Sequence, residues 1–430
     1  MFRSLAIRNY RVYAIGSMIS NVGAWMQNTA QAWLVLELTG SGSALGITVA
    51  LQFLPSLLLS PFAGVHADRF PKRTVLRVMQ VAMAIPAAVL GVLAITEVVQ
   101  GWHVFVLAFV FGIGRALEAP ARQSFVAEMV SLDDLGNAVA LNSASFNSGR
   151  LIGPGVAGLM IAALGSGVVA TGWVIVINAT SYVASFIALQ MLDPTRLGPT
   201  PLVADRKRAV RDGIRYVRHR PDLILVFSCM FFLGGFGMNF QITSALMATE
   251  EFGRGAGEYG VLGSLLAMGS LVGALLAARR AMPRLKMVVL SGFAFAVVQT
   301  ASGLMPTFFT YALILPFVGI TVLTTATTAT AVIQVTTAPE MRGRVAALYL
   351  MVFFGSVPFT APAIGWVSEV FGARAALVSS GLVAGVGILA SLAWYARRQD
   401  VRQAEFWATH LSYGRFRRSE PFHDLPIEAP

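Results

Sequence analysis

The sequence predicts an all-α membrane protein, with twelve transmembrane helices arranged as two pseudo-symmetric six-helix halves. Three observations carry that expectation. Of 430 residues, 56% are hydrophobic and 12% charged, with a mean hydropathy of +0.69; ordinary water-soluble domains carry about 25% charged residues. Apolar runs of roughly 20 residues, the length a helix needs to cross a hydrocarbon core, recur from end to end. The basic residues gather in alternate loops between those runs.

The runs fall at 11–38, 43–66, 74–97, 103–124, 136–164, 169–192, 223–249, 259–278, 287–305, 308–334, 345–370 and 374–395. Backbone groups in hydrocarbon must be paired within the chain, and helices do this within a single run. MFRSLAIRNYR is basic and leads into the first run without a small-residue cleavage site, which reads as a retained helix rather than a signal peptide. Cys229 is the sole cysteine, so neither an intrachain disulfide nor a cysteine metal cluster is expected. The net charge of +11 raises nucleic acid as a partner, but its distribution argues against it. All 32 bases except Arg115, Arg150, Arg254 and Arg374 lie in the terminal segments or alternate loops that fall on one side of the membrane. Basic loops stay cytoplasmic, so both termini are expected inside and the lipid bilayer is the expected partner.

Residues 1–192 form the first expected half and 223–395 the second, with a polar tail at 396–430. The interval 193–222 joins them. Its early part is Pro-rich; later, Val210, Ile214 and Val217 recur at helical spacing among arginines. That pattern fits an amphipathic helix on the inner leaflet, and a plain tether fits equally well. Gly64 and Gly273, and likewise NAVALNS (137–143) and GRVAALY (343–349), recur at nearly equal offsets, which pairs Gly158 with Gly365. Such internal symmetry marks secondary transporters that hold substrate near the midplane between halves. No GxxxxGK[ST] segment is present to bind ATP.

GVHADRFPKR (64–73) follows the second run, and GRLIGPGVAG (149–158) lies in the fifth. The first resembles the G-x-x-x-D-R-x-x-[KR]-[KR] loop of the major facilitator superfamily. The second resembles the G-x-x-x-G-P-x-x-[GA]-G antiporter motif of that superfamily's exporters. NVGAWMQ, WLVLELTGSGSALG and GIRYVRHRP look like its branch containing the enterobactin exporter and related drug–proton antiporters. The resemblance spans roughly 1–395 and implies the major facilitator fold. It also implies a gate at Gly64, Asp68, Arg69, Lys72 and Arg73 that latches the cytoplasmic side. Asp68 would meet the start of the eleventh run around Arg344–Ala346, where a helix N-terminus favours a carboxylate. Arg69 and Arg73 would pair with Asp68 or with Glu128. A merely basic topogenic loop is the alternative. In the second half GALLAARRAMPRLK lacks an acid corresponding to Asp68.

Few ionisable residues are expected at membrane depth: Arg115 and Glu118 in the fourth run and Arg150 in the fifth. Each costs about 2.5–3.5 kcal/mol on insertion scales and so faces a cavity or a partner. Arg115 and Glu118, spaced i, i+3, can share a helix face. Arg115-x-x-Glu118 partly resembles the R-x-x-Q-G motif of proton-coupled exporters, with Glu and Ala replacing Gln and Gly. The pair is therefore a proton-coupling candidate or a structural ion pair holding the fourth and fifth runs. Gly149, Gly153 and Gly158 permit close helix approach, and Pro154 invites a bend. Asn21, Trp25 and Asn28, with Gln31, form a polar stripe facing a central cavity or a neighbouring helix. Asn239, Gln241, Gln299, Thr321, Thr324, Thr325 and Thr328 offer uncharged hydrogen bonding from the second half.

The expected function is secondary active export of a small amphiphilic molecule, a drug-like compound or siderophore. Protons would drive it by antiport through alternating access, with no cofactor, metal or catalytic residue, in a monomer of a bacterial-type inner membrane. An importer or uniporter on the same scaffold, and a non-transporting receptor, are the alternatives. No nucleophile–base pair suggests an enzyme.

Overall fold

A computed structural model describes residues 2–198, 209–279 and 283–398; the side chains of 60–69, 209–210 and 278 lie outside the described residues. The first half comprises α1 (Arg8–Thr39), α2 (Gly42–Arg69), α3 (Lys72–Ile95), α4 (Gly101–Met129), α5 (Leu132–Ala163) and α6 (Gly167–Gln190). A short α7 (Ala209–Arg218) precedes the second half. There α8 (Pro221–Gly237), α9 (Phe240–Leu246) and a π-turn at Met247–Glu251 are followed by α10 (Ala256–Ala278), α11 (Leu285–Gly303) and α12 (Phe308–Thr336). The chain ends in α13 (Arg342–Gly355), α14 (Val357–Phe371) and α15 (Ala373–Arg398).

Among the described residues, ten segments are long and apolar enough to cross a membrane, with Pro221–Glu251 and Arg342–Phe371 each counted as one. Helices α1 and α5, 32 residues each, are not among the ten. Their hydropathy is diluted by the residues that make them interesting. Asn21, Gln27, Asn28 and Gln31 are buried on α1, and α5 carries Arg150 and six glycines and prolines in its second half and start. Inside the first half Gln27 accepts from Asn178 of α6, and Ser181 donates to Asn178 at 2.9 Å. Burial of such amides is tolerable because they pair with one another.

Two spans are broken where the sequence suggested continuous rods. The Pro221–Glu251 segment interrupts at Met238–Asn239, between α8 and α9. There the Asn239 amide turns back onto the Gly235 carbonyl, which Thr360 of α14 also approaches at 2.7 Å. The second break falls at Ser356, between α13 and α14. Pro358 opens α14 and supplies no backbone N–H to the preceding turn, while Ser356 donates its hydroxyl to Phe353 O at 2.8 Å. The two breaks lie against each other.

The helix ends define two faces. On the basic face lie the turns after Arg69, Met129, Gln190 and Thr336; on the opposite face lie those after Thr39, Ala163, Glu251 and Phe371. The halves meet chiefly through α2 on α14 and α5 on α10. These two crossings are built alike. A methyl group placed on Gly158 would stand 2.9 Å from Gly260 Cα, and one on Gly155 2.8 Å from Ser264 Oγ. In the other crossing Gly365 abuts Gly42, and a methyl on Gly46 would stand 2.9 Å from Pro362 Cα. Gly158 and Gly155 thus play the parts of Gly365 and Pro362, and Gly260 and Ser264 those of Gly42 and Gly46. Only residues without a large side chain let backbones come this close.

Candidate functional site

Both crossings draw on the parts of their helices nearer the opposite face. On α5 the contacts to α10 fall at Leu151, Pro154, Gly155, Gly158 and Ala162. Apart from Ala138, residues 132–148 of the same helix are exposed or part-exposed. The crossing of α2 on α14 is fastened at its end by Glu369, whose carboxylate accepts from Ser41 Oγ at 2.7 Å and Ser43 N at 3.0 Å. Toward mid-membrane Phe53 of α2 stacks on Phe354 of α13, ring centroids 6.0 Å apart. The seam is closed from the opposite face to this depth, and α5 is uncovered beyond it.

Among the described residues, Arg122 joins Arg115, Glu118 and Arg150 at this depth. Arg122, counted from sequence among the loop bases, is inside α4, because the helix continues through Pro120 to Met129. It donates to Asn21 Oδ1 at 2.8 Å and faces Glu118 at 3.5 Å. Glu118 also accepts from Gln80 of α3 at 3.0 Å, and Asn21 donates to Ser145 of α5 at 3.0 Å. This corrects the expected Arg115–Glu118 pair. Glu118 belongs instead to a network joining α1, α3, α4 and α5, in which Arg122 sits one full turn from it. Arg115 lies over the Phe53 ring, 5.7 Å from its centroid. Arg150 lies over Trp25 at 5.6 Å, and Trp25 meets Phe146 edge-on. Gly149 and Gly153 make this possible by seating α5 against Asn21 and Trp25 of α1.

The remaining candidates are dispersed. Asn28 and Gln31 are buried on α1, the Gln31 amide nitrogen without a partner. Asn239 holds the break in the α8–α9 span, and its side-chain Oδ1 is buried without a partner. Gln241 is part-exposed on α9, and Gln299 is buried in α11. Thr325 is fully enclosed, donating to Ser291 of α11 at 2.8 Å and to Thr321 O at 2.7 Å. In this conformation it lines helix–helix packing rather than open space. Thr324 donates to Gly273 O at 3.2 Å, another helix contact.

At the basic face the surroundings of Gly64 and the side chains of Asp68 and Arg69 lie outside the described residues. Lys72 and Glu128 form a buried ion pair at 2.6 Å, both side chains under a tenth exposed. Arg73 does not take Glu128; it donates to the carbonyls of Leu189 and Gln190, both at 2.8 Å, closing the end of α6. The reason is rotational position: Lys72 and Arg73, adjacent at the start of α3, diverge by about 100° and meet different neighbours.

Helix α7 buries Gly213 and Val217 against the bundle and leaves Arg211, Ile214, Arg215 and Arg218 exposed. Asp212 accepts from Arg344 of α13 at 3.2 Å. Tyr216 Oη accepts from Arg220 and from Ala338 N, and Arg220 donates to Thr336 O. Hydrogen bonds to the Asp222 carboxylate hold the Arg220 guanidinium above the ordinary arginine range, against the opposing effect of its burial. Of the two described apolar positions of the expected stripe, Val217 packs on the bundle and Ile214 is exposed.

A two-part helical bundle with a polar, charged interior and glycine-lined seams is the architecture of a membrane transporter. Residues 1–411 match the transmembrane secretion effector family, and the chain belongs to that family of major facilitator transporters. It is 26% identical over 362 residues to the multidrug efflux pump Tap of Mycolicibacterium fortuitum, covering 82% of this chain and 86% of that one. Macrolide efflux protein A of Streptococcus pyogenes is 23% identical, with 93% and 99% covered. The staphyloferrin A transporter of Staphylococcus aureus is 24% identical, with 65% and 70% covered. Among solved structures, a bacterial homologue of the human lysosomal transporter Spinster, inward-facing and occupied, superposes with a TM-score of 0.72 at 14% identity, over 94% and 98% of the chains. A D-xylose–proton symporter gives 0.71 at 14%, over 92% and 98%. These last two likenesses concern the fold.

Proposed function

We propose that this chain exports a small amphiphilic molecule from the cytoplasm across a bacterial inner membrane, exchanging it for protons by alternating access. The basic face is cytoplasmic, as the charge distribution favours, and both termini lie there. The monomer is the working unit in this reading. The observation that carries the reading is the one-sided seam: α2–α14 and α5–α10 close the face opposite the basic loops, while α5 is left uncovered toward the basic face. This suits an inward-open state ready to load cytoplasmic substrate. Relatives named as efflux pumps support the outward direction.

Glu118 is the proton site in this reading. Proton uptake there removes the charge that faces Arg122, frees Arg122 and Asn21, and loosens the tie between α4, α1 and α5. Loss of the proton restores it. Asp68, Arg69, Lys72 and Arg73 act as the cytoplasmic latch once the basic face closes, with Glu128 anchoring Lys72. The test uses everted membrane vesicles with an imposed pH gradient and fluorescent dyes as cargo. Wild type is expected to accumulate dye against its gradient. Glu118→Gln is expected to lose that accumulation while still exchanging labelled for unlabelled dye. Full gradient-driven accumulation by the variant would remove Glu118 from the proton route.

A further inference from the structure

The interior charge of the first half does not balance. Glu118 is engaged by Arg122 and Gln80, and no carboxylate stands within ion-pair distance of Arg115 or Arg150 among the described residues. Both arginines are part-exposed rather than sealed in packing. The second half offers no compensation, since its described acids sit near the ends of its spans: Glu250, Glu251, Glu258 and Glu369 at the face opposite the basic loops, and Asp222 and Glu340 at the basic face. Two cations at membrane depth, each costing about 2.5–3.5 kcal/mol by insertion scales, are expensive unless something uses them.

Their neighbours indicate the use. Arg115 rests on Phe53, which stacks across the seam on Phe354 of the other half. Arg150 rests on Trp25, beside the Leu151 carbonyl that accepts from Ser264 across the same seam. A ring face partly offsets a guanidinium's lost hydration, yet leaves its N–H fork free to bind oxygens. The planar fork matches carboxylates and other oxyanions in two-point contact.

We propose that the substrate of this site is an aromatic or otherwise planar amphiphile bearing an acidic group, and that Arg150 is its main anion ligand with Arg115 second. The apolar body lies against Trp25, Phe53 and Phe354. The inference rests on the transport reading for where the ligand travels, but its test reads binding alone, so the two fail separately.

Purified protein in neutral detergent is titrated into fluorescein, an anion, and rhodamine 123, a cation on the same xanthene ring system, following fluorescence anisotropy. Wild type is expected to bind fluorescein more tightly. Arg150→Gln is expected to weaken fluorescein binding at least about thirtyfold, the lower end of what truncating one partner of a buried charge pair costs, and to leave rhodamine 123 unchanged or improved. Arg150→Lys keeps the charge without the fork and should fall between. Arg115→Gln provides a second reading if Arg150→Gln is not monodisperse on size exclusion. Preference for rhodamine 123 by wild type, no fluorescein binding at all, or equal fluorescein affinity in wild type and well-folded variants would overturn the proposal. Proteoliposomes that bind fluorescein but never move it would leave this assignment standing and sink the transport reading instead.

Discussion

Lys72 and Glu128 face each other at 2.6 Å with both side chains almost wholly buried, a geometry that makes either residue alone a liability. Removing one partner of a buried pair typically costs about 3–5 kcal/mol, whereas apolar replacement of both is often tolerated. Lys72→Met is therefore expected to lower the thermal stability of the detergent-solubilised protein sharply. Lys72→Met with Glu128→Leu should recover much of that loss; a double variant less stable than the single would contradict this account of the pair. The sequence exposed the ingredients but not the partner. PKR and the end of α4 present acids and bases at converging helix ends, yet the choice of Lys72 over Arg73 depends on helix rotation. Arg122 was hidden differently. It falls two residues from the expected end of the fourth run at 124 and so counted with the loop bases, whereas α4 continues to Met129.

Helix α5 carries two jobs along one length. Its Gly149 and Gly153 seat it on α1 within the first half, and its Gly155 and Gly158 seat it on α10 across the seam. The glycine pattern was legible from sequence, including the match of Gly158 to Gly365, because spacing alone exposes it. The break at Asn239 was not, since it depends on the contact with Thr360 of α14, whereas the break at Ser356 has its cue in Pro358, within what reads as one apolar run. Gly158→Val would force a branched side chain against Gly260 and the Ala256 carbonyl, and Gly365→Val would do the same against Gly42. Each is expected to disfavour the seam closed at this face while sparing the fold of the halves. The check is maleimide labelling of Ser264→Cys in a Cys229→Ala background: labelling should rise when Gly158→Val is added. Unchanged labelling would mean that the seam accommodates the side chain, and that the glycines do not set the closure.

At the scale of the whole molecule, the described residues form two helical bodies joined at two matched glycine crossings, with Arg115 and Arg150 resting on Phe53 and Trp25 in one of them. Composition and charge alternation made the membrane class legible, because insertion into hydrocarbon leaves few alternatives. They were silent on which face is closed, which depends on long-range packing between α2 and α14 and between α5 and α10. Transport as proposed requires that closure alternate between the two faces. Spin labels on Ser166→Cys and Gly253→Cys report the face closed here, and labels on Asp133→Cys and Lys286→Cys report the basic face, both in a Cys229→Ala background. Pulsed distance measurements on proteoliposomes compare the protein alone with the protein under substrate and a pH gradient. The first pair is expected to start short and lengthen as the second shortens, with Asp68→Asn suppressing the shortening at the basic face. Distances that stay fixed on both faces, or move in the same direction on both, would contradict alternating access by this chain.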